Sequence, residues 1–598
     1  MKSVLLSRRD LDFLLYEWLR VDELTARPRF AEHSRETFDG VLDLSEQLAE
    51  RYFAPHNKTS DANEPTFDGQ RVTVIPEVKA AWDAFVGADL IGMSMDASVG
   101  GAQLPAVVAQ AAFAWIAAAN TSSSGYLMLT IANANLLTAF GSLEQIETFV
   151  KPMMVGRFSG TMALSETQAG SSLADITTRA EPRPDGSYRL FGSKMWISGA
   201  EHELTDNIVN LVLAKIPGGP AGTKGISLFV VPKFLVNEDG SIGERNDVAI
   251  AGLNHKMGQR GITNTVLNFG DTGFNPGGEA GAVGYLVGEP HRGIVYMFQM
   301  MNEARLGVGM GAVALGYTGY LKSLQYARER PQGRALGVKD LSVPPVPIIE
   351  HADVKRMLLA QKAYVEGGLA LGLYCARLVD LQHSASSDAE ADRVGLLLDI
   401  LTPIAKAWPS QWCLEANNLA IQVHGGYGYT REYDVEQHYR DNRLNPIHEG
   451  TNGIQSLDLL GRKVTQRGGA SLAVLGGAIE TTVEAARALG GEAAGRAAAL
   501  DAFWQRLVAV TGAMFGSGDV PAAMANSHVY LEAFGHIVVA WLWLEQFIAA
   551  HGKGGDFYDG KRQSARYFFI YELPKTTTQL DLLESLDRTT LEMQDSWF

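Results

Sequence analysis

The sequence predicts an α fold with a β insert, in which helical layers flank a β domain. Three observations carry this. Apolar residues recur at helical spacing through the first quarter of the chain. Runs rich in Val, Ile, Leu and Phe between Gly and Pro breaks fill the stretch from about 160 to 290. Helical periodicity then resumes near Gly293. This order of helical, β, helical and helical segments lacks the alternation of a doubly wound sheet.

In chain order, residues 36–54 place Val41, Leu44, Leu48 and Tyr52 at helical spacing, and the alanine-rich stretch from Pro105 to Ala119 continues the helical character. Asp185-Gly186 is a hairpin-type turn, and Asn207 to Ile216, Gly225 to Phe234 and Thr263 to Phe269 read as strands. Leu306, Met310, Val313, Tyr317, Tyr320 and Leu324 then mark a long helix, followed by others from His351 through Leu381 and from Val394 through Ala420. The Gly- and Pro-containing stretch Pro331 to Pro347 predicts an exposed loop between bundle helices. Gln466 to Ala470 reads as a linker to a separate helical appendage. The expected organisation is an N-terminal extension (1–35), a helical domain (36–160), a β domain (161–290), a helical bundle (291–465) and an additional helical domain (466–598).

A chain of 598 residues with 46% apolar content calls for several packed domains. A net charge of -16 argues against a nucleic-acid partner, which requires a basic face to displace counterions. Cys375 and Cys413 are the two cysteines; they suggest neither a disulfide framework nor a metal site, and a reducing cytoplasm is the expected location. The apolar run at the N-terminus breaks off too early for a signal peptide. The longest greasy stretch, Ile537 to Leu544, falls short of the roughly 18 residues of a membrane span, so a buried helix is expected. Residues 466–598 carry ten Lys and Arg against fifteen Asp and Glu. That acidity, with Trp541, Trp543 and Phe547, predicts core or subunit packing rather than membrane contact.

The chemistry is placed at Pro446-Ile447-His448-Glu449-Gly450-Thr451-Asn452-Gly453, where a lone carboxylate sits beside a flexible glycine as a helix begins. The helix dipole keeps such a carboxylate ionised, while a greasy substrate that expels water raises its pKa, and the two effects together suit a general base. His448 either packs or faces solvent, the favoured reading, or hydrogen-bonds nearby. Gly307-Val308-Gly309-Met310-Gly311-Ala312 satisfies G-x-G-x-x-A, but no βαβ unit surrounds it, so close helix packing is the reading.

Together with Met162-Ala163-Leu164-Ser165-Glu166-Thr167-Gln168-Ala169-Gly170-Ser171, Trp196-Ile197-Ser198-Gly199, Arg328-Glu329-Arg330-Pro331-Gln332-Gly333-Arg334 and Gln422-Val423-His424-Gly425-Gly426, this segment resembles the acyl-CoA dehydrogenase family over roughly residues 80–465. The whole chain resembles a bacterial branch of about 600 residues with an added C-terminal domain. The resemblance implies an N-terminal helical domain, a middle β-barrel-like domain, a C-terminal four-helix bundle and an extra helical domain. It also implies α,β-dehydrogenation of an acyl-CoA to trans-2-enoyl-CoA in fatty acid β-oxidation. Glu449 would abstract the α proton, N5 of FAD would accept the β hydride, and electrons would pass to an electron-transferring flavoprotein.

Carried over residue by residue, the flavin contacts are Met162, Leu164, Ser165, Gly170, Ser171, Trp196, Ser198, Thr451 and Gly453. Arg330 would reach the flavin pyrophosphate of a neighbouring subunit, and Gln422, Gly425 and Gly426 would receive the adenosine half, so a homodimer or homotetramer is expected. Ser171, Asn302, Arg305 and Gly450 are the expected substrate contacts, with Arg305 also supporting the base loop. The commoner family loop reads Thr-Glu-Pro-Gly-Ala-Gly-Ser-Asp. Ser165, Thr167, Gln168 and Ser172 depart from it, and loss of the proline and the acidic residue predicts a looser loop. Two alternatives stand beside dehydrogenation: an acyl-CoA oxidase that uses oxygen, and a non-catalytic member that binds DNA or acyl-CoA.

Overall fold

A computed structural model describes residues 3–340 and 342–598. Residues 1 and 2, in the N-terminal run read as too short for a signal peptide, and residue 341, in the 331–347 loop, lie outside the described residues. The chain divides into two compact units. One comprises Met1–Arg35, Pro105–Ala114 and Arg305–Phe598, and the other Glu36–Leu104 and Trp115–Ala304.

The second unit holds an eight-stranded sheet. The expected strands are present as Asn207–Lys215, Ile226–Pro232 and Asn264–Phe269, and Asp185-Gly186 turns the chain from Arg179–Pro182 into the antiparallel strand Tyr188–Ser198. Arg179–Pro182 also pairs with Asn207–Lys215, closing a ring through Ile226–Pro232 and Ala282–Leu286. Leu190, Val212, Phe229, Val231, Leu267 and Phe269 fill the interior of this sheet. The helix Thr121–Phe140 is pinned to it by Asn133, whose amide donates to the carbonyls of Thr161 and Val209, each at 2.9 Å.

The early helix Arg35–Leu48 forms, but with a different buried face. Phe38, Leu42, Ser45 and Leu48 point inward and Leu44 is exposed. A π turn at Ala49–Phe53 follows directly, so the phase extrapolated through Tyr52 does not hold.

The first unit is helical. Gly293–Glu329, whose greater part lies in this unit, Ala352–His383 and Asp388–His424 are long, and Val435–Asn442 and Asn452–Asp458 are short. A glycine seam sets the closest crossing. A Cβ at Gly309 would lie 2.0 Å from the Ala405 carbonyl oxygen, and one at Gly319 would lie 2.5 Å from the Asn417 amide. The G-x-G-x-x-A motif thus lies on a helix-packing face.

The appended region is helical from Ala470 onward. Its helix Ser527–Ala549 is long and apolar enough to cross a membrane, but 83% of its apolar window is buried. Trp541 donates to the Thr482 hydroxyl at 2.7 Å and Trp543 to the Ala363 carbonyl at 3.2 Å, as core residues do.

Candidate active site

In the helical unit, the chain turns sharply before Asn452–Asp458. Thr451 caps that helix by accepting from the Ile454 amide at 3.2 Å. Glu449 is left-handed (φ 55°), a conformation that costs a side-chain-bearing residue roughly 1–2 kcal/mol, and Gly450 follows at φ 87°. Gln455 holds the turn by donating to the carbonyls of Glu449 (3.2 Å) and Gly450 (3.3 Å). Gly453 is exposed in the first turn of the helix.

The Glu449 carboxylate is partly buried and makes no hydrogen bond or ion pair among the described residues. Burial pushes its pKa up to about 7, against the opposing pull of Lys406 and Arg305. Arg305 is itself bound to Asp458 at 2.9 Å, an ion pair with both side chains buried that anchors the helix after the base turn.

His448 makes a nearby hydrogen bond, the alternative to packing or facing solvent. Its Nε2 lies 2.9 Å from Asn445 Oδ1, and because that oxygen only accepts, Nε2 carries the proton. The bond ends a buried asparagine relay. Asn445 donates to Asn442 at 2.8 Å, Asn442 to Asn417 at 2.7 Å, and Asn417 to the Leu315 carbonyl at 2.9 Å. Burial, then Lys406, lowers the His448 pKa to about 3, so this histidine is a neutral strut.

In the other unit, the loop after Phe158–Ala163 and the end of Tyr188–Ser198 are joined. The Met195 amide donates to the Ser165 carbonyl at 2.9 Å, and Lys194 donates to the Leu164 carbonyl and pairs with Glu166, both at 3.0 Å. Glu166 also accepts from the amides of Thr177 (2.7 Å) and Thr178 (3.0 Å). Burial raises its pKa, but Lys194 and these donors outweigh that and hold it well below the usual carboxylate range. Ser172 donates to Asp175 at 2.5 Å. The loop is therefore tied down, contrary to the looseness expected from its missing proline and acidic residue. Met162 is buried, Leu164 and Ser165 are partly buried, and Gly170 and Ser171 are exposed.

Trp196 is 61% exposed and left-handed (φ 66°), so it is not packed as a core aromatic. The pairing register shifts between Lys194 and Ile197, and this bulge swings the indole off the sheet. Two residues on, Ser198 Oγ accepts from Asn264 at 3.0 Å, leaving its proton free to donate elsewhere. Asn302 is partly buried on the helix Gly293–Glu329. Arg330 donates to Gln332 at 3.2 Å with its guanidinium 5.9 Å from the Tyr427 ring, while Gln422, Gly425 and Gly426 are exposed. No cluster of His, Cys, Asp or Glu among the described residues could hold a metal.

Four family models cover most of the chain. They are the acyl-CoA dehydrogenase N-terminal domain (37–157), middle domain (161–272) and C-terminal domain (291–464), and an acetyl-CoA dehydrogenase C-terminal-like domain (475–594). The chain is 35% identical to a 3-methylmercaptopropionyl-CoA dehydrogenase of Ruegeria pomeroyi over 94% of both chains. The chain belongs to the acyl-CoA dehydrogenase family. It is also 34% identical, over 99% of both chains, to a broad-specificity linear acyl-CoA dehydrogenase of Mycobacterium tuberculosis. A Bacillus anthracis acyl-CoA dehydrogenase complexed with FAD shares the fold, with a TM-score of 0.74 at 19% identity over 95% of this chain and 93% of that one.

An acyl-CoA dehydrogenase of this family is a FAD-dependent oxidoreductase, and the residues present suit that cofactor. The protruding Trp196 offers an aromatic face, Ser198 a spare hydroxyl proton, and the Ser165 loop a rigid set of small residues. Asparagines 417, 442 and 445, Asp458, Lys406 and Glu166 went unnoticed in the motif reading. Lys406 alone leaves a sequence signal, as a single cation within the apolar run Leu401 to Trp408.

Proposed function

We propose that Glu449 is the general base of an α,β-dehydrogenation that converts an acyl-CoA to trans-2-enoyl-CoA. The observation that carries this is a lone, strained, partly buried carboxylate, unengaged by the protein, whose burial pushes it up to about 7. A thioester chain filling the space before Glu449 strips away the remaining water and brings its proton affinity closer to that of the α carbon. The α C–H bond gives its proton to a Glu449 oxygen, and the β hydrogen leaves with its electron pair. FAD, when bound, supplies the two-electron acceptor for that hydride.

Trp196, Ser198 and the Ser165 loop with Met162, Leu164, Gly170 and Ser171 would hold the flavin, with Thr451 and Gly453 as further contacts. Asn302, Gly450 and Ser171 would contact the substrate. Arg305 acts through Asp458 to fix the base helix. The half-buried Arg330 and the exposed Gln422, Gly425 and Gly426 support FAD shared between subunits of a homodimer or homotetramer, and the appended helices would stabilise that assembly. Reoxidation by an electron-transferring flavoprotein completes the cycle. Two buried free thiols are compatible with a cytoplasmic setting.

Anaerobic titration of the flavoprotein with a butyryl- to palmitoyl-CoA panel should bleach the flavin, and Glu449→Gln should slow bleaching at least about 10²-fold with FAD retained. Undiminished reduction in that variant would remove Glu449 from the chemistry. Rapid stoichiometric peroxide on admitting oxygen would favour an oxidase.

A further inference from the structure

Lys406 lies in the helix Asp388–His424, fully buried, and its Nζ has no hydrogen-bond partner among the described residues. An ammonium desolvated without a partner costs several kcal/mol, so its retention needs a reason outside packing. Its backbone sits at a close helix crossing, where a Cβ on Gly309 would lie 3.5 Å from the Lys406 Cα. The Ala405 carbonyl would lie 2.0 Å from a Cβ on Gly309, which fixes the point from which the Lys406 side chain starts.

The charged and titratable groups near it come from three elements. Arg305 projects from Gly293–Glu329, His448 and Glu449 from the base turn, and Asp458 from the helix that follows. Asp458 is taken by Arg305 at 2.9 Å, so that cation and that anion balance one another. His448 is neutral and donates to Asn445. Among the described residues near Lys406, what remains is a cation without an ion-pair partner, Lys406, and an anion without one, Glu449.

We propose that Lys406 is a positioning residue for the base: a buried, non-contacting cation that keeps the Glu449 carboxylate ionised in the resting enzyme. This rests on the reading of Glu449 as general base and deepens it. Burial alone drives Glu449 toward its neutral, inactive form, and the field of Lys406 opposes that. Burial likewise lowers the pKa of Lys406 and the charge of Glu449 opposes that, so each group favours the charged form of the other. When Glu449 takes the α proton it becomes neutral, and Lys406 is left without an opposing charge. The field therefore weakens the base somewhat while securing its ionised fraction.

The test uses FAD-loaded Lys406→Met and Lys406→Arg proteins and the acyl-CoA that bleaches the wild-type flavin fastest. Anaerobic stopped-flow reduction rates are followed from pH 5.5 to 9.5. K406M should move the midpoint of the pH profile up by about one unit and recover most of the wild-type plateau at high pH, while K406R keeps the wild-type midpoint. A purely structural lysine would lower the plateau or the melting temperature and leave the midpoint in place, and that result overturns the proposal. Should K406M fail to retain FAD, Lys406→Gln gives the same reading. Failure of both to fold would assign the lysine to stability and also overturn it. Full activity in Glu449→Gln would sink the base assignment and this inference together. An inactive Glu449→Gln with an unmoved K406M midpoint sinks only the role of Lys406.

Discussion

Lys406 and Lys561 are both fully buried lysines in the same helical unit, and their surroundings differ in one respect. Lys561 is saturated. It pairs with Asp10, pairs with Glu366 at 2.9 Å and donates to Gln546 at 3.0 Å. Tyr317 donates to the other Asp10 oxygen at 2.9 Å, and Lys362 also pairs with Glu366. Burial raises the Glu366 pKa, yet Lys362 and Lys561 together outweigh that and hold it below its ordinary value. This cluster ties the N-terminal helix Arg8–Asp12 to the bundle helix Ala352–His383 and to the appended helix Asp556–Tyr567. Lys406, by contrast, has no hydrogen-bond partner among the described residues, and the charge of Glu449 acts on it without an ion pair. A saturated buried charge holds the chain together, whereas an unsaturated one is left available to a reacting group.

The largest effect should come from breaking the saturated cluster. Lys561→Met leaves Asp10 without a cation and Glu366 with only one, and should cost about 3–5 kcal/mol in urea unfolding. The same change at Lys406 removes an ammonium that has no partner and should leave stability unchanged or raised. If both lysines prove equally costly to remove, the distinction between them fails.

A smaller effect separates the base turn from its support. Asn445→Ala leaves the Asn442 side-chain amide oxygen and the His448 ring proton unpartnered in a buried site, at about 2 kcal/mol. Because that relay positions the residue next to Glu449, flavin reduction should fall about tenfold with the pH midpoint unmoved. A shifted midpoint would make the relay part of the charge balance that Lys406 is proposed to set.

The contiguous motifs proposed to carry the chemistry were legible in the sequence: Glu449-Gly450, the Ser165 loop and Trp196 to Ser198 each lie within a short stretch whose residue types carry the resemblance. The long helices were legible from period, and three of the strands from runs of Val, Ile, Leu and Phe between Gly and Pro breaks. What stayed hidden is assembled from distant segments. Asn417, within an otherwise helical pattern, reads as a surface polar residue until Asn442, 25 positions later, is found bonded to it. Glu166 lies inside a motif, yet its role depends on Lys194 and on two threonines beyond the loop. The phase error at Tyr52 has a local cause, since the π turn at Ala49–Phe53 shifts the residue period in a way that a fixed 3.6 spacing does not anticipate, whereas at Val41 and Leu44, inside the regular helix, the stripe through Phe38, Leu42 and Ser45 is the buried one.

The smallest expected effect bears on Glu449 through stability rather than rate. A carboxyl whose folded pKa is raised from 4.5 to about 7 binds its proton more tightly in the folded protein. Its contribution is fully present below about pH 4.5 and is lost as the pH rises through about 7. Wild-type stability therefore carries a downward component across that window, which Glu449→Gln lacks. The stability of E449Q relative to wild type should rise by about 1 kcal/mol between pH 5 and pH 8, a figure discounted for the partial exposure of the side chain. In K406M the same difference should be larger, because burial then acts on Glu449 with less opposition. Urea unfolding of wild type, E449Q, K406M and the double variant at the two pH values reads both quantities. An identical difference in the two backgrounds would mean that Lys406 and Glu449 do not sense one another, and Lys406 would be a buried lysine with no counterpart to the balanced cluster at Lys561.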